Sequence, residues 1–397
     1  MKLSLAKLPE ILSCPTSKTH AARALILGSL KKESVKIIDL PQAQDTLDLL
    51  AVLTNIGLKI KINENEMIIL NSFPACEVKK NDPIDLFLGE GGTTIRFLIP
   101  FLSLGKNKYH LKFSGRMNER PMDEIYLTLS TLGVFCEKTH EGVNIQGPID
   151  SEKMASIDCD KSSQFASGFE MLKLYSDHKI EYQNLTHSLK YFEITKKLIE
   201  HFQHNNEYTV PADFSGLGYL VAYGVLNQKL KVQNVFEIDD DQADSKIFEV
   251  LEMIGADFKF TQAGLEINKS DHFKAGMIVD GSTCIDLVPT LCFLAAYIPF
   301  PSTITNISKL QYKESDRLVE TLNILKVFKV DFSYDPESDI LQIKGGTKRV
   351  LAMDYETRPD HRMIMLVSLF LKNNAGGSVE PSLEVRKSFP DFFSLFS

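Results

Sequence analysis

Five residues, Lys313-Glu314-Ser315-Asp316-Arg317, hold four charged side chains directly after a long apolar segment, residues 287–307. Charges crowded beside a buried element suit a ligand. The apolar Leu318, Leu322 and Leu325 recur at helical spacing, which predicts a helix over residues 313–325 with Lys313 and Arg317 one turn apart and Glu314 beside them. Two cations and a carboxylate would then open a helix N-terminus, where backbone N–H groups already favour anions. The alternative for so short a motif is a solvated first turn with an i, i+4 pattern.

The elements that must position such a cluster come as a loose repeat. An amphipathic helix ends near a glycine and runs into a strand at 47–56 before Gly57, at 125–132 before Gly133 and at 247–254 before Gly255. Glycine accepts the left-handed conformation that ends a helix. Two further copies, 194–202 leading to Glu207-Tyr-Thr-Val and 318–325 leading to Lys329-Val-Asp-Phe, lack the glycine. The spacing is longer than that of a solenoid, so repeated α/β subdomains grouped into two lobes fit best.

A chain of 397 residues is too long for one ordinary core, and 44% hydrophobic with 24% charged residues describes a soluble globular protein. The net charge of -8 argues against a nucleic-acid partner, so any anion site is a local cluster of cations. Residues 1–13 lack a secretory signal pattern, and the apolar window 287–301 is interrupted by Pro289, Pro299 and Pro301, so no membrane segment is expected. The six cysteines form no CxxC pair and the nine histidines no metal-ligand array; His201 and His204 read as surface residues. These features predict a cytoplasmic enzyme with reduced thiols and no metal.

Taken in order, the charged segments resemble those of the enolpyruvylshikimate-phosphate synthase family over nearly the whole chain. Pro15-Thr-Ser-Lys-Thr-His-Ala-Ala-Arg-Ala-Leu is similar to P-G-S-K-S-x-x-x-R-A-L, Leu88-Gly-Glu-Gly-Gly-Thr-Thr-Ile-Arg to L-G-N-x-G-T-x-x-R, and Gly115-Arg-Met-Asn-Glu-Arg-Pro to R-M-x-E-R-P. Ser162-Ser-Gln-Phe matches S-S-Q-F, and Ser188-Leu-Lys-Tyr191 matches S-x-x-Y. In the second half Asp286 falls on the family's catalytic aspartate, Lys313, Glu314 and Arg317 on K-E-[ST]-D-R, His361 and Arg362 on D-H-R-M, and Lys387 on K-[ST]-F-P-D.

The resemblance implies transfer of the carboxyvinyl group of phosphoenolpyruvate to the 5-hydroxyl of shikimate 3-phosphate, with release of phosphate and without a cofactor. It assigns Lys18, Thr19, Arg23, Ser162, Ser163, Gln164, Ser188, Tyr191, Asp286, Lys309 and Lys313 to shikimate 3-phosphate. It assigns Lys18, Gly92, Arg116, Gln164, Arg317, His361, Arg362 and Lys387 to phosphoenolpyruvate. Guanidinium groups suit carboxylates and phosphates, and lysines act as point charges. Glu314 would exchange a proton at the methylene carbon, Asp286 would serve the attacking hydroxyl, and Lys18 or Lys313 would assist. The implied fold is a two-lobed inside-out α/β barrel, each lobe of three α/β subdomains with buried helices and outer sheets. One lobe would comprise residues 1–13 and 211–397 and the other 14–210, hinged near 13–16 and 209–212. The resemblance also implies a monomer and, because Gly92 is glycine, inhibition by glyphosate.

Several residues have plainer readings: Ser162 and Asp286 as helix caps, Tyr191 as packing, His361 as a hydrogen-bonded histidine, Arg96 and Arg120 as structural pairs. The chain also departs from the family at Thr16 for glycine, Glu90 for asparagine and Lys309 for asparagine. Glu90 adds negative charge beside an anion site, and pairing with Lys309 or Arg96 would offset it. Two other functions compete. A UDP-sugar enolpyruvyl transferase commonly has a cysteine in the loop that reads Gly115-Arg-Met-Asn-Glu-Arg-Pro here, which has none; a diverged ligand-binding homologue would retain the cations without turnover.

Overall fold

Gly255 closes its helix as expected in the structure, a computed structural model that describes residues 1–186 and 188–397. It is the C-cap of Lys246–Ile254 with φ 74°, while Gly57 (φ 107°) and Gly133 (φ 85°) stand one residue beyond the caps of Gln44–Asn55 and Asp123–Thr131. Each left-handed turn sends the chain into a strand, Ile60–Asn63, Phe135–Lys138 or Phe258–Thr261. After Arg317–Val327 a non-glycine residue takes that conformation, Lys329 at φ 59°, before the strand Phe332–Asp335.

The chain divides into two compact units, Thr16–Pro211 and Met1–Pro15 with Ala212–Ser397. In Thr16–Pro211 one sheet orders Glu207–Thr209, Val35–Ile38, Glu66–Ile69 and Ile60–Asn63. A second orders Ile84–Phe87, Lys108–Lys112, Gly142–Gln146 and Phe135–Lys138. In both, the first pair is parallel and the remaining pairs antiparallel. Among the described residues the third sheet holds only Met154–Asp158 and Lys179–Gln183, in parallel.

The other unit repeats the arrangement. Ile11–Leu12 lies parallel to Leu230–Val232 and Ile278–Asp280 parallel to Ser302–Thr305, and each pair is extended by an antiparallel hairpin. Met353–Glu356 and Gly377–Glu380 form the third parallel pair, with Lys2–Leu3 antiparallel beside it.

Helices fill the interiors. Lys18–Leu30 is buried from His20 onward, Gly92–Leu102 almost throughout, and Val288–Tyr297 and His361–Asn373 are buried on every side. A helix apolar all round belongs in a core, and the strands alternate a buried and a half-buried residue, so the sheets lie outside.

Three local expectations are corrected. The helix after Lys313-Glu314 begins at Arg317, because Asp316 caps it by accepting from Val319 N (3.1 Å), so Lys313 and Arg317 do not share a helical face. Asp286 is not a cap: its helix runs Val288–Tyr297, with Pro289 in the first turn and Leu287 at the cap position. Ser163, not Ser162, occupies the cap position of Gln164–Met171, although Ser162 Oγ accepts from Gln164 N at 3.3 Å.

Candidate active site

In the Ala212–Ser397 region three cations converge on Asp286 without the help of a shared helix. Lys313 Nζ lies 3.2 Å and Arg317 Nη1 3.0 Å from Asp286 Oδ1, and Arg362 Nη2 lies 3.5 Å from Oδ2. Burial alone would raise the Asp286 pKa, but Lys313, Arg362 and Arg317 together hold the carboxyl far below the ordinary range. Burial lowers the pKa of Lys313, with Asp286 opposing.

Asp360, wholly buried at the cap of His361–Asn373, organises the group. It accepts from Arg317 Nε (2.7 Å) and Nη2 (3.1 Å), from Ser315 N (3.2 Å) and Oγ (2.9 Å), and from Arg362 N (2.9 Å). Burial opposes ionisation of Asp360, yet Arg317 and His361 outweigh it and keep the carboxyl below its usual value. Glu314 reaches the same guanidinium nitrogen as Asp360, its Oε2 3.4 Å from Arg317 Nη2 and 2.7 Å from His361 Nδ1. Donor atoms of Glu314, Asp360 and His361 fall within 4.8 Å of one another, a spacing a metal could use, but Arg317 already engages both carboxylates.

Asp244 adds a carboxyl that the sequence reading passed over. It is buried, accepts from Ser215 Oγ, and is pushed up to about 7 by burial, with Arg362 opposing and Asp286 reinforcing the shift. Lys387 pairs with Glu384 at 2.8 Å in the short turn Leu383–Lys387, and Lys309 is half-buried in the turn Ser308–Tyr312.

In Thr16–Pro211 the Gly92–Leu102 helix carries no side-chain cap, and Gly92 at its start lies against Arg120: a Cβ there would meet the guanidinium carbon at 2.7 Å. Arg96, one turn on, donates to Gln164 Oε1 (2.7 Å) and to Pro121 O (3.1 Å). Burial first and the neighbouring Arg120 second push the Arg96 pKa down, so two guanidinium groups share this corner. Gln164 Nε2 donates to Thr93 Oγ1 at 2.7 Å, which fixes the amide's orientation.

Arg116, the arginine matched to phosphoenolpyruvate, is half exposed and paired with Glu119 at 3.0 Å. Arg120, four residues later in the same motif, is the one that reaches Gly92. Glu90 packs on Gly115, whose φ of 57° and missing Cβ leave room for the carboxylate, and Arg96 spends its hydrogen bonds on Gln164 and Pro121.

Lys18 pairs with Asp45 at 2.9 Å. Arg23 is buried, donating from Nε to Thr195 Oγ1 (2.7 Å), from Nη1 to Thr19 O (2.9 Å), and from Nη2 to Ser167 Oγ (3.4 Å) and Tyr191 O (2.9 Å). Four of its five N–H groups are thus used within the protein. Thr19 and Tyr191 are half-buried around it, and Ser188 precedes the helix Leu189–His204 at φ 53°.

Solved structures place this architecture. EPSP synthase from Acinetobacter baumannii superposes with TM-score 0.76 at 20% identity, covering 99% of this chain and 96% of that one. The enolpyruvyl transferase NikO from Streptomyces tendae gives 0.73 at 13% identity, covering 100% and 95%. The fold is the two-lobed inside-out α/β architecture of enolpyruvyl transferases. Curated relatives named 3-phosphoshikimate 1-carboxyvinyltransferase include those of Pyrococcus abyssi, 28% identical over 96% of this chain and 92% of the relative, and Thermococcus kodakarensis, 29% identical over 96% and 95%. The family profile described as EPSP synthase (3-phosphoshikimate 1-carboxyvinyltransferase) matches residues 5–396, and the chain belongs to that family. Its activity is enolpyruvyl transfer to shikimate 3-phosphate in aromatic biosynthesis.

Proposed function

We propose that this transfer runs as a cofactor-free addition and elimination in which the two regions divide the work. Gly92, Arg120, Gln164 and Lys18 receive phosphoenolpyruvate from the Thr16–Pro211 unit, with Arg120 in the role first matched to Arg116. Arg317, Arg362, His361 and Lys387 are its contacts from the other unit. Thr19, Arg23, Ser162, Ser163, Ser188 and Tyr191, together with Asp286, Lys309 and Lys313, bind shikimate 3-phosphate. Arg23 contributes at most its one remaining N–H and otherwise positions its neighbours.

In the addition step the 5-hydroxyl attacks C2 of phosphoenolpyruvate while the methylene carbon gains a proton from the Glu314–His361 pair, giving a methyl group. Asp286 accepts the hydroxyl proton. Its low basicity is sufficient because an oxygen already bonding to carbon is a far stronger acid than a free hydroxyl. Elimination returns a methyl proton to the Glu314–His361 pair and expels phosphate.

The observation that carries this reading is the convergence of Lys313, Arg317 and Arg362 on Asp286, with Glu314 held across Arg317. Glyphosate competes with phosphoenolpyruvate on the same reading, and the six free cysteines support a reducing, cytoplasmic setting. No helix among the described residues is long and apolar enough to cross a membrane. The test is phosphate release from phosphoenolpyruvate with and without shikimate 3-phosphate. Release that requires the acceptor is expected; release independent of it, or none, overturns the proposal.

A further inference from the structure

Among the described residues, five of the six sheets follow one rule. A parallel pair has an antiparallel strand on the free side of its second member: Glu66–Ile69 beside Val35–Ile38, Gly142–Gln146 beside Lys108–Lys112, Gly264–Ile267 beside Leu230–Val232, Ile340–Ile343 beside Ser302–Thr305, and Lys2–Leu3 beside Gly377–Glu380. The sixth sheet stops at the pair. Among the described residues, Lys179–Gln183 has a partner only in Met154–Asp158.

The vacant side shows in burial. Val35, Ile37, Tyr109, Leu111, Leu230 and Val232, the helix-facing residues of three second strands, are all 0% exposed. Their counterparts Ile180 and Tyr182 are only half-buried. Tyr182 does face the helices, since its hydroxyl donates to Glu170 Oε2 at 2.6 Å and its ring meets Phe192 edge-on at 5.4 Å. The backbone phase agrees. Cys159 N donates to Gln183 O at 2.9 Å, so Gln183, Glu181 and Lys179 turn their peptide groups toward Met154–Asp158, leaving those of Ile180 and Tyr182 on the open edge.

We infer that the edge of Lys179–Gln183 is an interface for a second copy of this chain, paired antiparallel across a two-fold axis at Ile180. A two-fold axis beside a strand generates the antiparallel orientation found at the other five sheets. With Ile180 opposite itself, its outward N–H and C=O groups are exchanged between the copies. The exposed Lys179 of each copy then lies opposite Glu181 of the other, giving two complementary cross-strand pairs. Pairing one residue further along would set Glu181 against Glu181. The result is a four-stranded sheet, the size of most others in the chain, where a two-stranded one is marginal alone. One strand pair is a small interface, so the dimer is a concentration-dependent one. The inference departs from the monomer that the resemblance implies.

Sedimentation velocity over a concentration series tests the inference. Reversible dimerisation is expected, weakened about tenfold by Lys179→Glu or by Glu181→Lys and restored in the double exchange. Melting temperature and transferase rate, both expected unchanged, check that the variants fold. Hydrogen exchange of the unsubstituted protein gives an independent reading: the Ile180 and Tyr182 amides slow as concentration rises. A monomer throughout, whether the edge stays in water or takes another strand, overturns the inference. So does a dimer indifferent to both reversals.

Discussion

The two charged regions are built in opposite ways. Around Asp286 and Asp360 every cation is set by a carboxylate, with Arg317 touching three of them. Around Gly92 the buried Arg96 is met by the neutral acceptors Gln164 and Pro121 O, and Arg120 adds like charge beside it. A network of internal ion pairs holds the carboxyl groups proposed for acid–base work in place before substrate arrives. A pair of neighbouring guanidinium groups at an uncapped helix start instead suits an anionic ligand. On the proposed reading the first arrangement fixes geometry, and the second supplies affinity.

The sharpest way to break the first region is Asp360→Ala. It strips five hydrogen bonds from a buried carboxylate and leaves the charge of Arg317 without its principal partner, at a cost of about 3–5 kcal/mol. Chemical denaturation measures the loss. For the second region, Arg120→Ala is expected to raise the KM for phosphoenolpyruvate about 10- to 100-fold, as befits a lost charged hydrogen bond, with the KM for shikimate 3-phosphate nearly unmoved. Arg116→Ala should change neither, and a larger effect from Arg116 would reverse the assignment. Glu90→Gln keeps the packing on Gly115 and removes a negative charge near the anion site. A several-fold lower KM for phosphoenolpyruvate is expected, and an increase would show that the carboxylate positions a cation.

A further effect is on the pH dependence of folding. Asp244 titrates near 7 in the folded protein against about 3.8 when unfolded, so the native state binds more protons between those values. Its contribution to stability is full below the unfolded value and is lost as pH rises through the folded one. Asp244→Asn should flatten the fall in stability between about pH 4 and 7, which thermal melts across that range would show.

Much of this was legible in the residues. The glycines that close helices marked three subdomains, and the short charged motifs marked both regions. What stayed hidden depends on contacts distant in sequence. Asp360 reads as a helix cap before His361, but its bonds to Arg317 span 43 residues and no local pattern announces them. The R-M-x-E-R-P motif holds two arginines, and only the turn Gly115–Glu119 decides that Arg120 faces Gly92. The weak repeat copy ending at Glu207–Thr209 reads as another helix running into a strand, yet that strand joins Val35–Ile38 and, among the described residues, leaves Lys179–Gln183 with one neighbour.

The central claim, that Glu314 exchanges the proton at the methylene carbon while the anion-binding region only holds the substrate, is tested most directly in deuterium oxide. With phosphoenolpyruvate and shikimate 3-phosphate, the unsubstituted enzyme should place deuterium in the methylene group of product and of recovered phosphoenolpyruvate. Glu314→Gln should lower that incorporation about 10²- to 10⁴-fold, whereas Arg120→Ala should match the unsubstituted enzyme once phosphoenolpyruvate is saturating. Deuterium incorporation that persists in Glu314→Gln would contradict the account.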